Sequence, residues 1–181
     1  MLTLTLTTTT DYAPMLMDFA RRARLVAGEA PPGEAELEAV RDHVGRTLEE
    51  TATREEQAMR EQLSKALPKG ITLKTLQSSR DGLVVTSHTT LELDDVTLVP
   101  EVVLGASEGR PPLKPFADFT VTRERAGLVL SGHAPAVPEG GSVQLSLRSS
   151  KPALSHNAPK HDGATLTWQG SGFDVRVVFE A

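Results

Sequence analysis

The sequence predicts an α+β protein: a twisted antiparallel sheet, one short and one long helix near the N-terminus, and a C-terminal β meander. Two observations lead to this fold class. Helical periodicity is confined to residues 14–67, and strand-like segments follow it to the end of the chain. These later segments are short and are separated by turns rich in Gly, Pro, Ser and Asp, which is typical of antiparallel structure.

The first strand has two different faces. Leu2, Leu4 and Leu6 alternate with threonines in the stretch LTLTLTTTT, the period of two expected for a half-buried strand. The polar face of this strand carries only hydroxyl groups. We therefore expect its leucines to face the core.

Two helices follow the first strand. Pro14 is a favourable first-turn residue, and the short helix that it opens ends at Gly28. The apolar residues of this helix recur at helical spacing and are Met15, Leu16, Phe19, Ala23 and Val26. The long helix is expected from near Gly33 to Leu67, a length of about 50 Å.

The long helix carries two separate apolar stripes. One consists of Leu37, Val40, Val44 and Leu48, and the other of Met59, Leu63 and Leu67. The segment between them, EETATREEQ, is polar on all sides. We expect the ends of the helix to pack and its middle to face water, so that the helix either bends at Gly45 or projects from the domain.

Length and composition restrict the classes of function. The 181 residues are predicted to form a single domain, 1–181, with a soft joint at 105–115. A formal net charge of −5 argues against nucleic acid, which requires clustered Lys and Arg. The absence of cysteine excludes disulfides, thiolate metal sites and a cysteine nucleophile. No stretch has the ~18 consecutive apolar residues of a membrane span.

The segment KPALSHNAPKHDGATLTW is the best candidate for chemistry. His156 and His161 could bind a metal, but Asp162 belongs to an Asp-Gly turn, and we favour a polar hairpin in which Trp168 is the apolar anchor. Asp94 and Asp95 are adjacent carboxylates, although neighbouring strand residues point to opposite faces. We predict no enzyme, no catalytic residue, no metal and no cofactor.

Taken in order, several segments resemble the LppM-like family of bacterial envelope lipoproteins. They are the first strand, ALPKGITLKTLQSSRDGLVVTSHTTLELDDV, PFADFTVTRERAGLVLSGHA and the closing segment. In the closing segment the resemblance is carried by Pro152, His156-Asn157-Ala158, Asp162-Gly163 and Trp168. Ala153 stands where the family pattern has Gly.

The resemblance implies a non-catalytic, extracytoplasmic module of the bacterial cell envelope that binds a lipid or glycolipid. It also implies membrane contact through an N-terminal lipid anchor that is not part of this chain. The alternative is a protein–protein interaction or structural subunit that uses the long helix to bind an envelope protein; a hydrolase is a further alternative. For a ligand site we nominate Met59 and Leu63, which would form the wall of a pocket, together with Asn157 and Trp168.

Overall fold

The computed structural model describes residues 1–107, 110–134, 137 and 141–180. Within these ranges, only the backbone is described for residues 48, 51–55, 105–107 and 110–113. The helices are α1 (Ala13–Val26), α2 (Glu34–Ala66) and a 3₁₀ helix (Val96–Glu101). The strands are β1 (Leu2–Asp11), β2 (Ile71–Asp81), β3 (Val84–Leu93), β4 (Gly105–Ser107), β5 (Arg110–Leu113), β6 (Thr120–Glu124), β7 (Gly127–His133), β8 (Ser142–Ser149), β9 (Ala153–His156), β10 (Lys160–Asp162), β11 (Thr165–Gly170) and β12 (Asp174–Phe179).

The predicted α+β class is confirmed, with the helices near the N-terminus and the strands after them. The strands form a six-stranded sheet in the order β10-β11-β8-β1-β3-β2 and a four-stranded sheet in the order β6-β7-β12-β9. Strands β4 and β5 form a separate pair. All strand pairs in the described part of the chain are antiparallel.

The C-terminal strands are divided between the two sheets. Strands β8, β10 and β11 belong to the six-stranded sheet, whereas β9 and β12 belong to the four-stranded sheet. The chain therefore passes from one sheet to the other after β8, after β9 and after β11. This C-terminal part contains more than a simple meander, because a meander pairs consecutive strands within one sheet.

Strand β1 lies at the centre of the six-stranded sheet, between β3 and β8. The alternation read from the sequence is observed: Leu2, Leu4 and Leu6 are buried. They join a core cluster to which both sheets contribute, including Leu145 and Trp168 from the first sheet and Leu130, Val175 and Val177 from the second. The two sheets therefore share one hydrophobic core, which faces the leucine side of β1.

Helix α2 lies along the edge strand β2. Leu63 is buried and packs with Leu76 of β2 and with Val103. Closer to the middle of the helix, a carboxylate oxygen of Glu56 accepts a hydrogen bond of 3.0 Å from the backbone N–H of Ser78. Closer to the N-terminus of the helix, Gly45 is buried. A Cβ atom placed on Gly45 would lie 4.0 Å from the carbonyl oxygen of Gly82.

In the polar segment EETATREEQ, residues 49, 50 and 57 are exposed as expected, whereas Glu56 is half-buried and bonded to Ser78. A polar residue at the helix–sheet contact is favoured because an edge strand leaves backbone N–H groups without strand partners. Glu56 satisfies one of these groups. The side chain of Leu48 lies outside the described ones. The other residues of this stripe, Leu37, Val40 and Val44, are partly or fully exposed, so the expected packing of the N-terminal end of the helix is not observed.

We call residues 13–44 the helical arm. The chain contacts the same place in the rest of the protein, the β2–β3 turn, just before the arm and just after it. The backbone N–H of Tyr12, just before α1, bonds to the Leu83 carbonyl in the β2–β3 turn at 3.1 Å. Gly45 of α2 returns to Gly82 of that turn. Every residue of the arm is partly or fully exposed. The arm therefore extends from one end of the six-stranded sheet.

The contrast between the two ends of α2 can be measured by substitution. Leu63→Ala should lower the free energy of unfolding by about 2–5 kcal/mol, because it leaves a cavity against Leu76 and Val103. Val40→Ala, on the arm, is the matched control and should change stability by less than about 0.5 kcal/mol. Urea denaturation of both variants tests this, and equal losses would show that the arm packs as tightly as the C-terminal end.

Candidate functional site

Asn157 connects the two sheets through its side chain. Its Oδ1 accepts hydrogen bonds from the indole Nε1–H of Trp168 at 3.0 Å and from the backbone N–H of Arg176 at 2.8 Å. Its Nδ2 donates to the carbonyl oxygen of Asp174 at 3.0 Å. Trp168 belongs to β11 of the first sheet, whereas Asp174 and Arg176 belong to β12 of the second. One amide side chain thus bridges strands of both sheets.

Trp168 is 2% exposed and lies in the shared core. It is opposite Leu145 of β8 in the sheet register. A buried indole needs a partner for its N–H, and Asn157 supplies that partner. The geometry gives both residues a role in holding the sheets together, whereas their nomination as ligand-binding residues stays a prediction.

Met59 and Leu63, the other nominated residues, differ in their surroundings. Met59 is partly exposed and lines a cavity of about 190 Å³ between α2 and the β2–β3 hairpin, together with Tyr12, Leu76 and Val85. Polar groups of Glu56, Ser78, Arg80 and Ser87 complete the lining. Ligand pockets usually measure about 300–1,000 Å³, so this cavity is too small to enclose a lipid acyl chain. Leu63 packs in the small core cluster and is not among the lining residues.

The two histidines of the closing segment come close to each other. The ring centroids of His156 and His161 are 5.3 Å apart, with the rings tilted by 56°. Within the part of the chain that the structure describes, no group of three His, Asp or Glu residues is arranged to hold a metal ion. Asp162 ends β10, and the hairpin turns through Gly163, which has the positive φ of +55° that two-residue hairpin loops favour.

Helix α1 presents an apolar surface to solvent. Met15, Phe19 and Val26 follow the i, i+4, i+11 spacing that places residues on one side of a helix, and all three are exposed, as is Leu25 nearby. We call these four residues the α1 apolar patch. The sequence showed most of this stripe but could not show which way it faces, because a core-facing stripe and an outward-facing one have the same spacing.

Charged residues surround the α1 apolar patch. Arg22 forms an i, i+4 ion pair of 2.7 Å with Asp18. Arg24 bridges the helices by contacting Glu29 at 3.2 Å and Glu36 of α2 at 2.8 Å. Helix α1 itself carries three arginines and a single acidic residue, whereas the first turn of α2 carries Glu34 and Glu36. The basic charge of the arm is thus concentrated on α1.

Glu36 fixes the start of α2 against α1. Hydrogen bonds from the Gly33 N–H and from Arg24 hold the pKa of Glu36 below its usual value. The ionised carboxylate makes these contacts, so they are fully present above the ordinary pKa of a glutamate and are lost as the pH falls through the lowered value. At neutral pH the two helices of the arm are therefore joined.

No protein-family model, no curated protein and no solved structure matches this chain. Within the described residues, neither helix combines the length and the hydrophobicity needed to cross a membrane. The resemblance to the LppM-like family therefore stays an expectation from sequence motifs.

The packing of Trp168 predicts a large effect of truncation. Trp168→Ala should cost about 3–5 kcal/mol of unfolding free energy, because it removes the largest of the fully buried side chains of the described core. Chemical denaturation followed by far-UV circular dichroism measures this. A loss below about 0.5 kcal/mol would place the indole outside the core and would favour a ligand role.

The Asn157 bridge predicts an energetic coupling with Trp168. Asn157→Ala should cost about 1–3 kcal/mol, since it leaves the indole N–H and the Arg176 N–H without this partner. In a Trp168→Phe background, which has no indole N–H, the same change should cost about 1 kcal/mol less. Gln169→Ala, an exposed amide on β11, is the matched control. Strictly additive losses in the double-mutant cycle would contradict the bridge.

Proposed function

We propose that this protein is a non-catalytic module of the bacterial cell envelope that binds a lipid or glycolipid through its helical arm. The observation that carries the proposal is the α1 apolar patch. Phe19 is 70% exposed and Val26 is 89% exposed. A rotation of the helix about its own axis would turn these side chains toward the protein, but the structure leaves them in solvent. Several large apolar side chains exposed together on one helix are typical of an interaction site.

The exposed apolar residues are concentrated on the helices. Among the described residues, the exposed large hydrophobic side chains on helices are Met15, Phe19, Leu25, Val26, Val40 and Met59, and those elsewhere are Met1 and Leu154. Five of these eight residues belong to the helical arm, and Met1, Met59 and Leu154 belong to the rest of the described protein. This distribution supports a binding role for the arm.

The small size of the cavity beside Met59 favours lipid contact at a surface over enclosure of a lipid at that place. The cavity beside Met59 measures about 190 Å³ and has a mixed lining, so it does not suit an acyl chain. A helix with exposed apolar side chains and adjacent arginines can instead lie in the headgroup region of a bilayer. There the aliphatic part of Arg21 or Arg22 would cover apolar surface while its guanidinium stays in water.

We propose a non-catalytic module, and this part of the proposal is supported by the structural role of a candidate acid–base residue. Asp95 accepts a hydrogen bond of 2.8 Å from the backbone N–H of Thr97 at the start of the 3₁₀ helix. This bond lowers the pKa of Asp95, so the carboxylate stays ionised and is used as a helix cap. An acid–base pair with Asp94 would require one carboxyl of raised pKa.

The second candidate is a protein–protein interaction through the same arm. The acidic residues at the start of α2, Glu34, Glu36 and Glu38, favour it, because they would be repelled by an anionic lipid surface. Amphipathic helices commonly bind by placing their apolar face in a hydrophobic groove of a partner protein. An envelope protein with such a groove could cover the α1 apolar patch in this way. The two candidates share the patch and differ in what covers it.

Flotation with lipid vesicles separates the two candidates. The wild type should float with vesicles of phosphatidylcholine and phosphatidylglycerol in a 70:30 ratio. Phe19→Asp should lower the partition coefficient at least about tenfold, since it removes an aromatic ring and adds a charge at the patch. Leu154→Asp is the matched control, because Leu154 is also an exposed apolar residue (56%) but lies on β9.

The control should float like the wild type, and circular dichroism should show all three proteins folded. If the wild type fails to float both with this mixture and with pure phosphatidylcholine, the lipid proposal is rejected. The protein-partner candidate would then be the remaining use of the patch. If both variants lose binding equally, contact is not made through α1.

A further inference from the structure

The outer face of the six-stranded sheet is lined by hydroxyl and amide groups. We call this surface the hydroxyl face; it is the face opposite the leucines of β1. One row across it runs through neighbouring residues of five strands, namely Thr75, Thr90, Thr5, Ser146 and Thr167. The next row consists of Gln77, His88, Thr7, Gln144 and Gln169. These side chains are all partly or fully exposed.

The side chains of this face form ordered pairs between strands. Thr7 is 2.9 Å from His88, measured from Oγ1 to Nδ1, and Ser146 is 3.1 Å from Thr167, measured between the hydroxyl oxygens. A Ser or Thr hydroxyl can donate one hydrogen bond and accept two, so each keeps capacity after pairing with its neighbour. The face thus presents a regular array of both donors and acceptors held by a rigid sheet.

An open depression lies at one side of this face. Its volume is about 670 Å³, within the usual range of ligand sites. It is lined by Gln144 of β8, by Thr165 and Thr167 of β11, and by residues 159–162 of the closing segment, which are Pro159, Lys160, His161 and Asp162. Pro159 adds an apolar ring to this polar lining. His161 is opposite the buried Leu166 in the register, so its ring lies on the other side of the sheet, beside His156.

The charges of the face nearly cancel. Lys74 is bonded to Glu92 at 2.6 Å. The other charged residues of these six strands are three basic and three acidic ones, namely Arg80, Arg148, Lys160, Asp11, Asp81 and Asp162. A phosphate-rich ligand would need clustered basic groups, and a protein partner would need an apolar centre. Neither is offered by this array of hydroxyls and amides.

We infer that the hydroxyl face, at the depression beside β8, β11 and β10, binds a neutral oligosaccharide. Sugar hydroxyls are both donors and acceptors and can match the Thr and Gln groups that line the depression, while the apolar C–H face of a sugar ring can pack on the exposed ring of Pro159. This inference goes beyond the lipid contact of α1. It does not require that contact, since the residues involved belong to different elements.

The test uses the full chain and free sugars without lipid. Amide shifts of the ¹⁵N-labelled protein would be followed during titration with maltohexaose, cellohexaose and laminarihexaose, three neutral hexasaccharides of different linkage. At least one should produce saturable shifts confined to β8, β10, β11 and the closing segment. The absence of shifts with any of the three at concentrations up to about 10 mM would overturn the inference, as would shifts located elsewhere.

Variants locate the site. The double variant Thr165→Val/Thr167→Val should weaken binding about tenfold, and Gln144→Ala should weaken it about threefold, each through lost hydrogen bonds. Thr120→Val, which removes a hydroxyl from β6 of the other sheet, should change affinity less than about twofold. Unchanged affinity in both site variants would overturn the inference. Because vesicles are absent, this result is independent of the flotation experiment.

Discussion

The two-faced pattern of β1 is the constraint on which the rest of the structure depends. Since side chains alternate along a strand, a shift of one residue in its pairing with β3 or β8 would turn Leu2, Leu4 and Leu6 outward and the threonines inward. Burial of the leucines therefore fixes the register of the central three strands. The same register creates the hydroxyl face on the other side. Core and outer surface are thus two consequences of one alternating sequence.

The second sheet is held against the first by apolar packing and by one polar bridge. Leucines and valines of both sheets fill the shared core, and the indole of Trp168 brings a polar group into it. Asn157 satisfies this group and at the same time bonds to two backbone groups of β12. A polar side chain between two sheets adds directional contacts that apolar packing lacks, and it fixes the position of the closing segment that borders the depression.

The helical arm follows a different principle from the body. It departs and returns at the β2–β3 turn, so it can be long without disturbing the sheet register. Its helices are joined by ion pairs and by the Glu36 contacts, and its apolar residues point to solvent. An element that contributes little to the core while exposing apolar side chains is better explained by binding than by stability. The proposed lipid contact and the proposed sugar contact use separate parts of the molecule, the arm and the outer sheet face.

The sequence by itself determined the fold class, the alternation of β1 and the extents of the two helices, because these depend on local periodicity, caps and turns. The tertiary structure decided the partners of β1, the division of the C-terminal strands between two sheets and the direction in which α1 faces.

The middle of α2 illustrates the reason. Its polar residues predicted a solvated surface, but Glu56 accepts a hydrogen bond from a backbone N–H of the edge strand β2. Likewise, Asn157 and Trp168 could be recognised as turn and anchor, whereas the bond between them depends on β11 and β12 lying in different sheets. Such contacts join residues distant in sequence, and periodicity carries no information about them.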